Sequence, residues 1–244
     1  VPVPGKAKSR LICRAFEMGA PRSAEGYVFF GTEGVLSQFH KARAGAKPWW
    51  YVDNSYADKH RGIYFRVTKN GLQVDPRGRT SDGKRWAKLD IEIKPWRTHL
   101  GNDILVVPQS ELFMKSTTSI RDWTADTVKL LKSFDLPFPI RVRPWNSDKF
   151  KQAAKLAEDL PNLRLLVTWS SASAITAMLE GVPAISMSPD SAAHWLTGPL
   201  TRESVESPPR PDGRLEFAQV LADNMFALEE FRDGTAWRML EKQG

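Results

Sequence analysis

Four short strand-like runs in the second half of the chain limit the possible folds more than any other feature. Ile104-Leu105-Val106-Val107 stops at Pro108, and Ile140-Arg141-Val142-Arg143 stops at Pro144. Leu163 to Val167 and Ala184-Ile185-Ser186-Met187 complete the set. The first run, apolar throughout, predicts a buried strand, and the other three predict strands. The segments between them predict helices. Asp122-Trp123 opens one whose apolar side carries Trp123, Val128, Leu131 and Phe134, and Pro137 and Pro139 end it. Ser147 is an expected N-cap for a second helix through Leu160, with Phe150, Ala154 and Ala157 at helical spacing. Ser173 to Glu180 predicts a third, with Gly181 as its C′ residue. The alternation βαβαβαβ is the pattern of a parallel sheet with crossover helices.

The first half is less regular. Tyr27 to Phe30 predicts a strand that enters the turn Gly31-Thr32-Glu33-Gly34 and a helix, and Trp49 to Val52 predicts a further strand. Ile63 to Val67 suits either a strand or a loop carrying Tyr64 and Arg66. Asp75 to Lys88, with three Gly/Pro positions among seven charges, predicts an exposed excursion. The tail from Arg214 predicts two helices separated by Asp233-Gly234.

Charge divides the chain at the same place as the patterning. Residues 1–100 hold 19 Lys/Arg against 9 Asp/Glu, net +10, whereas residues 101–244 hold 16 against 19, net −3. We therefore place a boundary near His99-Leu100-Gly101, between a basic domain (1–100) and a Rossmann-like domain with C-terminal helices (101–244). A basic surface with interleaved aromatics (Trp49, Trp50, Tyr51, Tyr56, Tyr64, Phe65, Trp86, Trp96) is compatible with a polyanion such as DNA, and equally with a solubilising surface over an aromatic core. Arg66, Lys69, Arg77, Arg79, Lys84 and Arg85 are the expected acceptor or DNA contacts. No run reaches the length of a membrane span, so no membrane partner is expected. The N-terminus lacks the apolar core of a signal peptide, and the single Cys13 cannot form an intramolecular disulfide, so a cytoplasmic setting is expected. Cys13 lies in the run Leu11-Ile12-Cys13 and is expected to be buried.

In open parallel sheets ligands bind beyond the carboxyl ends of the strands. The loops there contain Gln109 and Ser110, then Arg143, then Thr168-Trp169-Ser170-Ser171-Ala172-Ser173. Hydroxyls and amides at a helix start can hold phosphate, although the same serines can simply cap the helix. Arg141 and Arg143 alternate with apolar residues and so share a face, from which they could clamp a diphosphate or form ordinary ion pairs. The candidate anion site is thus Gln109, Ser110, Arg141, Arg143, Thr168, Ser170, Ser171 and Ser173. His40, His60, His99 and His194 lack metal-ligand spacing, and no Asp-x-Asp pair ends an apolar strand, so no metal is expected.

Thr168 to Pro183, a serine-rich turn and a helix ending in Gly-Val-Pro, resembles the donor-domain signature of GT-B glycosyltransferases. The whole chain resembles phage-encoded glycosyltransferases through Trp50-Tyr51-Val52-Asp53-Asn54, Phe65-Arg66-Val67-Thr68-Lys69-Asn70 and Pro211-Asp212-Gly213-Arg214. The resemblance implies an α/β, GT-B-like fold of two Rossmann-like domains whose parallel sheets face across a cleft. It also implies metal-independent sugar transfer from a nucleotide-sugar co-substrate, with no other cofactor. The implied acceptor is a hydroxymethylated pyrimidine in DNA, with a glycan or small acceptor as the rival. An inactive module that binds nucleic acid is the rival outside enzymology. One departure is Thr176, which stands where many such enzymes carry a ribose-binding glutamate. Sugar transfer needs a base for the acceptor hydroxyl, and Asp53 is the first candidate and Glu33 the second, each also a natural turn or cap residue.

Overall fold

The computed structural model describes residues 7–32, 35–57, 62–144 and 156–242. The chain is mixed α/β and divides into two compact units, residues 1–91 with 216–244, and residues 92–215. This differs from the expected division at residue 100. The C-terminal segment belongs to the first unit, where it completes a sheet.

In the first unit α1 (Ala7–Met18), β1 (Tyr27–Phe30), α2 (Leu36–Ala44), β2 (Trp49–Asn54), β3 (Tyr64–Lys69) and α3 (Lys84–Leu89) follow in order. The sheet is β1-β2-β3-β8, with β8 at Met225–Ala227. Only β1 and β2 are parallel; β2 to β3 and β3 to β8 are antiparallel. The expectation of a parallel sheet in each domain is therefore corrected here. Residues 55–63, which join β2 to β3, are too few for the crossover of a dozen or more residues that a parallel pair requires. Both faces of this sheet are covered. Trp50 and Val52 lie in one core with Phe16, Phe65, Phe226, Phe231 and Trp237. Trp49 and Tyr51 meet Phe39 of α2 from the opposite side. The indole N–H of Trp237 donates to the Phe16 carbonyl (2.7 Å), so this large aromatic is buried without an orphan donor. Most of the interleaved aromatics are thus core, and Cys13 is fully buried as expected.

The second unit contains β4 (Asp103–Val107), α4 (Glu111–Thr117), α5 (Trp123–Ser133), β5 (Ile140–Val142), β6 (Leu163–Thr168), α6 (Ser173–Leu179), β7 (Ala184–Ser186), α7 (His194–Thr197) and α8 (Arg202–Glu206). All four expected strands form, and every pairing in the sheet β5-β4-β6-β7 is parallel. β6 is mostly apolar because it is internal: Leu163, Leu165, Leu166 and Val167 are wholly buried, and only Arg164 reaches outward, to the Val205 carbonyl. Asp122 caps α5 by accepting the Ala125 N–H, and Trp123 and Leu131 of its apolar side are buried. The expected helix start at Ser147 lies outside the described residues; 156–159 are helical. Helix α9 (Arg214–Ala222) leads into β8, α10 (Leu228–Arg232) and α11 (Thr235–Glu241). The tail therefore holds a strand that helical periodicity did not reveal.

Candidate functional site

The strand order of the second unit decides where a ligand can sit. From β4 the chain moves outward to β5, then crosses back over β4 to β6 and continues to β7. The loops that leave β4 and β6 therefore diverge, and the crevice between them at the carboxyl edge is the usual ligand position of an open parallel sheet. Gln109 follows β4, Arg143 follows β5, and Ser170 and Ser173 follow β6, so three neighbouring strands deliver polar groups to one edge. Arg143, Ser170 and Ser173 are buried. Gln109 Oε1 and Ser173 Oγ are buried atoms with no hydrogen-bond partner among the described residues. The same holds for Trp123 Nε1, at the start of α5, whose ring lies 6.3 Å from that of Trp169. A buried polar atom left unpaired typically costs about 1–3 kcal/mol, so several at one edge mark a place built to meet a polar partner.

Other expected members of the site have local work. Ser110 caps α4, accepting the Phe113 N–H at 3.2 Å, and Ser171 Oγ accepts the Ser173 N–H at 3.2 Å. Thr168 Oγ1 donates to the Val107 carbonyl (3.0 Å) and ties β6 to β4. Thr176, on α6, donates to the Ala172 carbonyl one turn back. Arg141 is a correction. Its guanidinium pairs with Asp103 at 2.6 Å and Asp159 at 3.0 Å, carboxylates at the amino ends of β4 and β6, and so it turns away from the carboxyl edge. Strand alternation placed it on the face of Arg143, but a long side chain follows the nearest anions.

Beyond β7 a second set of hydroxyls joins the same edge, and sequence reasoning had passed over it. Ser186 Oγ lies 3.0 Å from the Trp169 carbonyl and 2.7 Å from Ser191 Oγ. The Ser188 N–H donates to the Trp169 carbonyl at 2.8 Å, and the Ser186 N–H to Thr197 Oγ1 at 3.1 Å. His194 Nδ1 is 2.8 Å from the Ser186 carbonyl. The paired serines around Pro189 were the available signal.

In the first unit Asp53, the last residue but one of β2, has both carboxylate oxygens engaged. Oδ2 pairs with Arg66 at 3.0 Å, while Oδ1 accepts the backbone and side-chain N–H groups of Asn54 at 2.7 and 2.9 Å. The Arg66 side chain is only 8% exposed and lies over the Tyr56 ring at 4.7 Å. Burial works against its charge, yet Asp53, with smaller contributions from Tyr56 and Tyr51, leaves its pKa raised. Glu33 lies outside the described residues. Of the six basic residues expected at a DNA face, Arg66 is buried and Arg85 is half-buried. Arg85, 11% exposed, holds Glu230 through both carboxylate oxygens, donates to the carbonyls of Met225 and Ala222, and lies over the Phe226 ring. Neither is available to a phosphate. The excursion that carries Arg85 is correspondingly anchored, because Trp86 and Leu89 of α3 are buried. Arg77 and Lys84 are paired with Asp75 and Asp82, and Lys69 and Arg79 are exposed.

Among the described residues no group of three or more His, Cys, Asp or Glu is placed to hold a metal, and no helix is long and apolar enough to cross a membrane. No family model and no curated protein matches the chain. Among solved structures it is similar to KpsC of Thermosulfurimonas dismutans, a beta Kdo 2,7 transferase. Identity is 14% and the TM-score 0.47, over 100% of this chain and 99% of that one. A superposition that loose assigns neither a fold nor an activity.

Proposed function

We propose that the second unit binds the diphosphate of a sugar nucleotide at its carboxyl edge, and that the protein is a glycosyltransferase acting on a hydroxyl acceptor. The observation that carries the reading is the convergence of Gln109, Arg143 and Ser173 beyond adjacent parallel strands where the strand order reverses. An arginine and a serine hydroxyl at one sheet edge suit a polyanionic ligand, while the Gln109 carbonyl oxygen suits a donor such as a sugar or ribose hydroxyl. The resemblance of Thr168 to Pro183 to the donor-domain signature narrows that ligand to a nucleotide sugar. The DNA acceptor implied by the wider resemblance keeps Lys69, Arg77, Arg79 and Lys84 as its contact set.

The test is calorimetric titration of a panel of nucleoside diphosphates and nucleotide sugars, followed by nucleotide release on turnover. Arg143→Ala and Ser173→Ala should each weaken binding by about 1–3 kcal/mol, whereas Arg141→Ala should leave affinity unchanged. Unaltered affinity in both Arg143→Ala and Ser173→Ala, with the fold intact, refutes the site. For the acceptor, affinity for hydroxymethylated DNA should fall with salt at a log-log slope of roughly −0.9 per phosphate neutralised. A flat response removes DNA.

A further inference from the structure

Asp53 has both oxygens engaged, which leaves open which group takes the acceptor proton. His40 and His99 occupy exposed positions, whereas the His194 ring is held. Its Nδ1 lies 2.8 Å from the Ser186 carbonyl, and a carbonyl oxygen can only accept, so Nδ1 carries the proton. In the neutral ring Nε2 is then an acceptor with its lone pair available, a tautomer set by the backbone rather than chosen by solvent. The ring is half-buried and stands edge-on to Trp195, which is 48% exposed, at 5.1 Å. It also belongs to the ligand edge. The residue that holds it, Ser186, makes its hydroxyl contact with the Trp169 carbonyl at the head of the turn that carries Ser170 and Ser173.

We propose that His194 is the general base of the transfer reaction. This rests on the reading of the second unit as a nucleotide-sugar site. The acceptor oxygen, that of water when no other acceptor is present, bonds to the anomeric carbon as the bond from that carbon to the phosphate oxygen breaks. The electron pair leaves with the nucleoside diphosphate, and the hydroxyl proton passes to Nε2. The resulting imidazolium is stabilised by the Ser186 carbonyl, because a hydrogen bond from a charged donor is stronger than one from a neutral ring. Nucleotide and base are then both held by loops of one sheet edge, and slow release of nucleotide to water needs no acceptor domain.

The experiment compares His194→Asn and His194→Gln with the full-length wild type. Asn retains an N–H near the Nδ1 position to serve Ser186, and Gln places an amide near Nε2, but neither can take up a proton at neutral pH. Both should bind nucleoside diphosphates within about twofold of wild type while turnover falls about 10²- to 10⁴-fold, the usual contribution of a general base. Long-range ¹H–¹⁵N correlation should show the Nδ1–H tautomer at His194 in the wild type, a readout independent of activity and of any variant's folding. Wild-type turnover in a folded His194→Asn, or an Nε2–H tautomer, overturns this assignment and leaves the nucleotide-sugar site standing. Failure of the wild type to bind any nucleoside diphosphate or nucleotide sugar refutes the site reading and this assignment together, whereas binding without release from any donor overturns this assignment alone.

Discussion

Replacing Gly181 by alanine isolates what the Gly-Val-Pro end of α6 does for the second unit. Gly181 has φ +75°, a left-handed conformation that costs an L-residue about 1–2 kcal/mol. A Cβ there would lie 2.1 Å from the Pro95 carbonyl oxygen and 3.1 Å from its carbon, both backbone atoms that no rotamer change can move. The segment through Pro95 would have to retreat. It is held by the Lys94 N–H on the Leu179 carbonyl at 2.8 Å and by the Arg97 N–H on the Gly181 carbonyl at 3.0 Å. At about 0.5–1.5 kcal/mol for each bond, added to the conformational term, the expected loss is about 2–5 kcal/mol, a large part of the roughly 5–15 kcal/mol that stabilises a domain. Gly198→Ala is the open-space reference in the same unit, with nothing within 4 Å of the added carbon; its backbone (φ +71°, ψ −175°) lies in a region that costs an L-residue about 1–3 kcal/mol, so it reports a backbone term with no steric contact. Urea unfolding of both variants, read as midpoint shifts at unchanged m, separates the two contributions. If Gly181→Ala is no less stable than Gly198→Ala, the close approach of the Pro95 segment is not what requires glycine, and the reasoning fails.

Asp53→Asn should lower stability by about 1–3 kcal/mol, because the Arg66 charge loses its anion while one side-chain acceptor remains; turnover of the folded fraction should stay near wild type. A 10²-fold loss of turnover with unchanged stability would restore Asp53 as the base. Acid sensitivity should centre partly on Glu230. Burial pushes its pKa up, but the Arg85 guanidinium and the Ala227 N–H outweigh that and hold it below the ordinary glutamate value. Its contribution is therefore complete above the unfolded-state pKa, near 4.5, and is lost as pH falls through the lower folded value. Glu230→Gln should flatten stability against pH over that window, and an unchanged profile in urea titrations would show that the pair with Arg85 does not drive it.

The strands β4, β5, β6 and β7, the helix start at Asp122 and the helix end at Gly181 could all be read from the sequence, because each depends on neighbours within a turn or a strand. The burial of Cys13 followed in the same way from its apolar neighbours. Strand order did not. Nothing near Leu163 states that β6 lies beside β4 rather than beside β5, yet that choice brings the loops of Gln109 and of Ser170 and Ser173 to neighbouring strand ends and creates the crevice. Charge counting could not show which basic side chains are already committed, for a related reason. Arg66 and Arg85 add to a basic first segment, but Asp53 and Glu230 meet them across 13 and 145 residues of chain and draw both side chains inside. Arg141 turns to Asp103, 38 residues away, instead of the face its alternation assigns. β8 has three residues, too few to show a period, and exists because the edge of β3 offers backbone partners. His194 carries no signal at all until Ser186 supplies a carbonyl that selects its tautomer. Local chemistry sets which elements form, through backbone preference and the spacing of apolar side chains. Which strand pairs with which, and which carboxylate meets which guanidinium, is decided by segments distant in sequence competing for the same space, and that competition is resolved only when the whole chain is packed.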